Sequence, residues 1–219
     1  MKVTYYLEVL SSWCYWVEPV WAQLKAKYAG RAEFEWRIAL MRPEDLPVSR
    51  SQCDWFYRRS GGTVMNSPVM LNSGWFDESR KGAYENPSLV AEASKDFGFS
   101  DDTIRLAIAR AGVIEGRKIG DIEVAVAAAS KASGISARKL RARAESAAVR
   151  ARVEGSTAEF HSHRITQRPA FILEDAIGDK AVFSGIVRFE PLAATIDAML
   201  ADTAAYAAHR AHHGDVPKK

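Results

Sequence analysis

Cysteine is nearly absent from this chain of 219 residues, which contains two, Cys14 and Cys53. That excludes a disulfide framework and any zinc site built mainly from thiolates. Also missing is a continuous apolar run of the ~18–20 residues that a membrane-spanning helix needs. The opening stretch Met1-Lys2-Val3-Thr4-Tyr5-Tyr6-Leu7-Glu8 is interrupted by an acid and has no small-residue cleavage site, so it reads as mature protein and not as a secretory signal. Net charge is small: 30 Lys and Arg against 27 Asp and Glu leave +3. A surplus that slight, spread along the chain, argues against a nucleic-acid or membrane partner. Arg138, Arg141, Arg143, Arg150 and Arg152 are interleaved with Glu145 and Glu154 and carry no aromatic platform, which is the pattern of a solvated helix face. The expected location is the reducing cytoplasm.

What is present is an ordinary globular composition, 47% hydrophobic and 26% charged, without an internal repeat. Val3 to Val9 is β-branched and aromatic, the pattern of one buried strand. Ser11 or Ser12 can cap a following helix in which Trp13, Trp16, Val17, Val20, Trp21 and Leu24 recur at three and four, with Pro19 as an internal kink and Gly30 as the stop. Phe34, Trp36, Ile38 and Leu40 then alternate as a second strand. Residues 49–155 turn helical in period, with Ser100, Asp121 and Ser136 as starts and Gly112 and Gly134 as stops; the third of these helices is expected to run past Ala144 to Val149. After Arg168-Pro169 the strand signal returns in Ala170–Leu173 and Ala181–Phe183, spaced for an antiparallel hairpin. A last helix opens at Glu190-Pro191, and the C-terminal residues from His209 onward, with His212, His213, Lys218 and Lys219, read as a frayed tail.

The order β-α-β, helical block, β-β-α predicts an α/β thioredoxin-like fold with an all-helical domain inserted in its middle. The expected division is 1–48 and 156–213 for the thioredoxin-like part, 49–155 for the insertion and 214–219 for a flexible tail. Two segments should then meet in space: Ser11-Ser12-Trp13-Cys14 at the first strand-to-helix junction and Gln167-Arg168-Pro169 before the third strand.

These residues resemble the DsbA-like thioredoxin superfamily. Val9-Leu10-Ser11-Ser12-Trp13-Cys14 is similar to the Val-Leu-Ser-Pro-Tyr-Ser stretch of kappa-class glutathione transferases and 2-hydroxychromene-2-carboxylate isomerases. It is equally similar to the Cys-Pro-Trp-Cys-Tyr motif of FrnE-like oxidoreductases, with Ser11 in the place of the first cysteine and Cys14 in that of the second. Glu35-Trp36-Arg37 with Arg42-Pro43-Glu44-Asp45-Leu46-Pro47, and Arg168-Pro169-Ala170-Phe171 with Phe183-Ser184-Gly185, extend the likeness along most of the chain. The resemblance implies a cis Pro169 facing the first helix, glutathione paired with the Arg168 backbone, and Ser184 and Gly185 near its γ-glutamyl carboxylate. It also carries dimerisation as an expectation.

Serine at position 11 decides the chemistry. A hydroxyl forms no disulfide with Cys14, so a Cys-x-x-Cys cycle is excluded unless Cys53 substitutes. Without a neighbouring base Ser11 is a weak nucleophile, but its O–H can hold a thiolate at a helix N-terminus. Three readings follow. One is an enzyme activating glutathione or another small thiol against an electrophilic, aromatic small-molecule substrate, with Ser12, Trp13 and Trp55 lining the cleft. Another is a monothiol oxidoreductase acting through Cys14, and the third is a binding protein that has lost catalysis. His161 and His163 lack a carboxylate or cysteine at ligand spacing, so no metal is expected.

Overall fold

The structure, a computed structural model, describes residues 1–185 and 188–215. Four strands form one mixed sheet in the order β2-β1-β3-β4: β1 Lys2–Leu7, β2 Glu33–Ile38, β3 Ala170–Glu174 and β4 Lys180–Ser184. β1 runs parallel to β2 and antiparallel to β3, and β3 is antiparallel to β4. A parallel pair needs a crossover, supplied here by α1 Ser12–Lys27.

Strand alternation divides the side chains between two faces. Val3, Tyr5, Leu7, Phe171 and Leu173 pack with Val17, Trp21 and Leu24 of α1 and with Leu192 and Ile196 of α8 Phe189–His213. The rings of Tyr5 and Phe171 stack at 5.0 Å, and Tyr28 at the end of α1 donates to the Ala193 carbonyl at 2.8 Å. On the opposite face Tyr6, Ala170 and Ile172 meet Phe160 of α7 Ala147–Ser162. Burial of this kind contributes roughly 25 cal/mol per Å² of apolar surface, so both faces are fixed mainly by area and ring packing.

The insertion consists of α2 Arg50–Tyr57, α3 Asn86–Ser94, α4 Thr103–Val113, α5 Ile122–Ser133 and α6 Ala137–Ala144. Past Tyr57, α2 widens into a π-type turn over Arg58–Val64. There the Trp16 indole donates to Ser60 Oγ at 3.2 Å, and a Cβ on Gly61 would stand 2.8 Å from Trp16 Cζ2. Glycine is what lets the two segments approach. A buried ionic cluster makes the second attachment: Arg105 of α4, 3% exposed, donates to both Glu18 oxygens at 2.6 and 2.8 Å and to Asp102. Tyr5 donates to Glu18 from below at 3.1 Å. Every charge in the cluster has a partner, which is the condition for burying it at tolerable cost.

Two boundaries differ from the sequence expectation. The helix predicted from Ser136 to Val149 breaks after Ala144, because Ser146 accepts from the Val149 N–H and caps a new helix. That helix, α7, crosses the predicted boundary at 155/156: Arg152 pairs with Glu92 of α3, whereas Ser156 donates to Ile38 and Phe160 packs on the sheet. The C-terminal residues expected to fray continue α8 as far as His213; the predicted tail is described only to Asp215, and 216–219 lie outside the described residues. No helix of the described residues is long and apolar enough to cross a membrane.

Candidate active site

Ser11 ends the loop after β1 with an extended backbone (φ −72°, ψ 121°) and caps α1, its Oγ accepting from the Cys14 N–H at 3.3 Å. The hydroxyl proton is given to no oxygen or nitrogen acceptor among the described residues. The Ser12 and Trp13 N–H groups, in the first turn where no intrahelical partner exists, likewise have no hydrogen-bond partner among the described residues. Ser11, Ser12 and Trp13 line one wall of an open cleft of about 220 Å³.

Thr166, Gln167 and Arg168 line the same cleft, and the Arg168–Pro169 bond is cis. No backbone hydrogen bond of Arg168, which lies in the bend immediately before β3, is formed among the described residues. Its side chain is a brace. The guanidinium donates to the Ala39 carbonyl at 2.5 Å, to the Leu40 carbonyl and to Thr166, and lies 4.6 Å over the Phe160 ring. Across the same backbone, buried Glu8 accepts from the Met41 N–H at 3.2 Å and from Ser88 Oγ at 2.6 Å, while Thr157 takes the Leu40 N–H at 3.0 Å. Residues 39–41 are thus held by three side chains, those of Arg168, Glu8 and Thr157, and Met41 forms part of the cleft wall. Burial raises the Glu8 carboxyl above its ordinary 4.5, its hydrogen bonds and Arg168 opposing the shift.

The third wall comes from the insertion: Cys53, Phe56, Tyr57, Arg59 and Trp75. Arg59 stacks over the rings of Trp55 and Phe56 at 5.0 and 5.2 Å. Asp45, on the segment after β2, is held below the usual carboxylate range by hydrogen bonds from Arg42.

Several predicted site residues lie elsewhere than expected. Cys14 points into the core, 2% exposed; burial pushes its thiol up to about 11, outweighing the pull of the Ser11 hydroxyl. A thiol so placed is not a nucleophile at neutral pH. Trp55 does not line the cleft: it is 51% exposed, one residue out of phase with Cys53, Phe56 and Tyr57 on α2. Ser184 and Gly185 also stay outside the cleft lining. Ser184 donates to the Gln167 carbonyl at 3.2 Å and Gly185 to that of Pro169 at 2.7 Å, so they buttress the cis-proline loop from behind. Cys53 is buried, and its thiol is likewise pushed up to about 11 by burial. Both cysteines are free. Among the described residues no group of three or more His, Cys, Asp and Glu could hold a metal ion.

Solved structures match closely in shape. The DsbM protein of Pseudomonas aeruginosa, described as a cytosolic disulfide reductase, superposes with a TM-score of 0.67 at 20% identity, over 91% of this chain and 98% of that one. The chain has the DsbA-like thioredoxin fold. A 2-hydroxychromene-2-carboxylate isomerase matches at TM-score 0.66 and 15% identity, over 94% and 99% of the two chains, and Pseudomonas aeruginosa DsbA at 0.61 and 14%, over 94% and 85%. One of the matching DsbM structures is described as containing GSH. No protein-family model matches the chain, and no curated protein matches it.

Proposed function

We propose that the protein is a cytoplasmic, thiol-dependent enzyme on the DsbA-like fold, in which Ser11 stabilises the thiolate of glutathione or another small thiol. The observation that carries this reading is the pairing of a Ser11 hydroxyl that donates to no oxygen or nitrogen among the described residues, and two free N–H groups at Ser12 and Trp13, with a cis-proline loop lining the same cleft. A cysteinyl backbone docked along that of Arg168 brings its sulfur toward the start of α1. There the helix end contributes ~0.3–1 kcal/mol toward an anion. With the Ser11 hydrogen bond, the combined shift on a thiol of pKa ~8.5 is about one unit, or ~1.4 kcal/mol. The thiol releases its proton to water, and the thiolate attacks an electrophile held among Leu10, Trp13, Leu46, Pro47 and Phe56.

The GSH in the DsbM structure and the isomerase likeness support a small-thiol chemistry. The monothiol route through Cys14 is disfavoured by its burial. Ser11→Ala should lower kcat/KM for thiol-dependent turnover by about tenfold or more. Unchanged turnover removes the proposal. A tightly bound apolar ligand, with neither thiol-dependent turnover nor glutathione affinity, would point instead to a binding protein.

A further inference from the structure

The insertion side of the cleft contains a polar group that the thiolate chemistry above does not use. Tyr57 is 4% exposed, at the end of α2, and Trp75, 2% exposed, comes from the short turn Ser73–Trp75. Both line the cleft together with Ser11 and Ser12. The Trp75 indole N–H donates to the Tyr57 oxygen at 2.6 Å, a short bond that fixes the phenol and strengthens its own O–H as a donor. Trp75 is in turn wedged edge-on against Tyr84 with ring centres 5.0 Å apart, so the donor is not free to turn away. Among the described residues no oxygen or nitrogen accepts from Tyr57; the group beside it is the Cys53 thiol, a weak acceptor. A buried phenol with its oxygen saturated and its proton given only to sulfur is poised to donate to something better.

We propose that Tyr57 is a catalytic residue, donating its O–H to a substrate oxygen that becomes negatively charged as the thiolate adds. This rests on the thiol-dependent reading above and narrows its substrate to a carbonyl-activated acceptor, a conjugated enone or enal. In the step, sulfur bonds to the β-carbon, the C=C pair moves to the α-carbon–carbonyl bond, and the carbonyl π pair settles on oxygen as an enolate. Tyr57 hydrogen-bonds that oxygen, and the α-carbon then takes a proton from water. Burial, the largest influence, holds the phenol well above its ordinary 10.0, so it acts as a donor and not as a base across the working range. Displacement of chloride from an alkyl carbon creates no charge on a substrate oxygen, and that difference provides the test.

With glutathione as the thiol, turnover of benzylideneacetone is compared with that of benzyl chloride for the wild-type protein and Tyr57→Phe. The phenylalanine keeps the ring and deletes only the hydroxyl. The kcat ratio, enone over chloride, should fall about 100- to 1,000-fold, the usual effect of one lost oxyanion donor. Trp75→Phe, which leaves the phenol but removes its support, should lower the same ratio less. It also serves as the readout if Tyr57→Phe does not fold. An unchanged ratio in the folded variants, or a wild-type protein that uses benzyl chloride but not the enone, overturns the assignment of Tyr57 alone. A wild-type protein that turns over neither overturns the thiol-dependent reading and the assignment with it.

Discussion

Cys14 offers a quantitative test of how this site differs from a dithiol one. It occupies the third position of α1, where a helix end would ordinarily favour a thiolate. Burial reverses that. The side chain is packed among Leu7, Val9 and Ala109, and its thiol moves from the ordinary 9.0 to about 11. That leaves on the order of 100-fold less thiolate at neutral pH than in an open cysteine. Access multiplies the effect, since a residue 2% exposed reacts only after local opening. In a Cys53→Ala background, native Cys14 should therefore react with iodoacetamide at least ~100-fold more slowly than a free small thiol, and at the free rate once urea unfolds the chain. Native labelling within tenfold of the small-thiol rate, with an apparent pKa at or below about 8.5, would refute the burial argument and revive a monothiol mechanism.

Two further outcomes follow from the braces around the cleft. Glu8→Gln keeps the acceptor for Met41 and a polar partner for Ser88 but removes the charge. Because the folded carboxyl sits above its unfolded 4.5, rising pH strips the unfolded chain of its proton first and drains wild-type stability. The stability advantage of the glutamine variant in urea melts should thus grow from mildly acidic to neutral pH; a gap that shrinks would show the Glu8–Arg168 attraction outweighing burial. Gly61→Ala should cost about 1–3 kcal/mol, since Trp16 cannot swing away without losing its bond to Ser60. A neutral or stabilised variant, read by the same melts, would show that the contact between α1 and the π-type turn yields freely.

Much of this was legible in the sequence because the decisive signals were local. β-branched and aromatic composition identified β1, alternation β2 and hairpin spacing β3 and β4, and Ser11 and Gly134 bound their helices as capping chemistry requires. The serine-for-cysteine exchange at position 11, with a proline at 169, located the two loops that share the cleft. What was missed depended on tertiary context. α2 is only eight residues long, and Trp55 was assigned to the cleft as a large aromatic although Cys53, Phe56 and Tyr57 at helical spacing form the sector that faces it. Charged Glu8 and Arg168 give no sequence sign of burial; only the folded chain shows them clamping residues 39–41 from both sides. Ser146 reads as an ordinary helix residue until its hydroxyl is seen to take the Val149 N–H. Tyr57 and Trp75 are eighteen residues apart and meet through a loop whose path no pattern announces.

The measurement that reaches the centre of the account is a pH titration of the thiolate absorbance of glutathione bound to the wild-type protein and to Ser11→Ala. Bound glutathione should ionise about one unit below the free thiol's ~8.5, with most of that displacement lost in the alanine variant. Glutathione that does not bind, or that ionises alike in solution, on the wild-type protein and on the variant, would contradict a serine-stabilised thiolate.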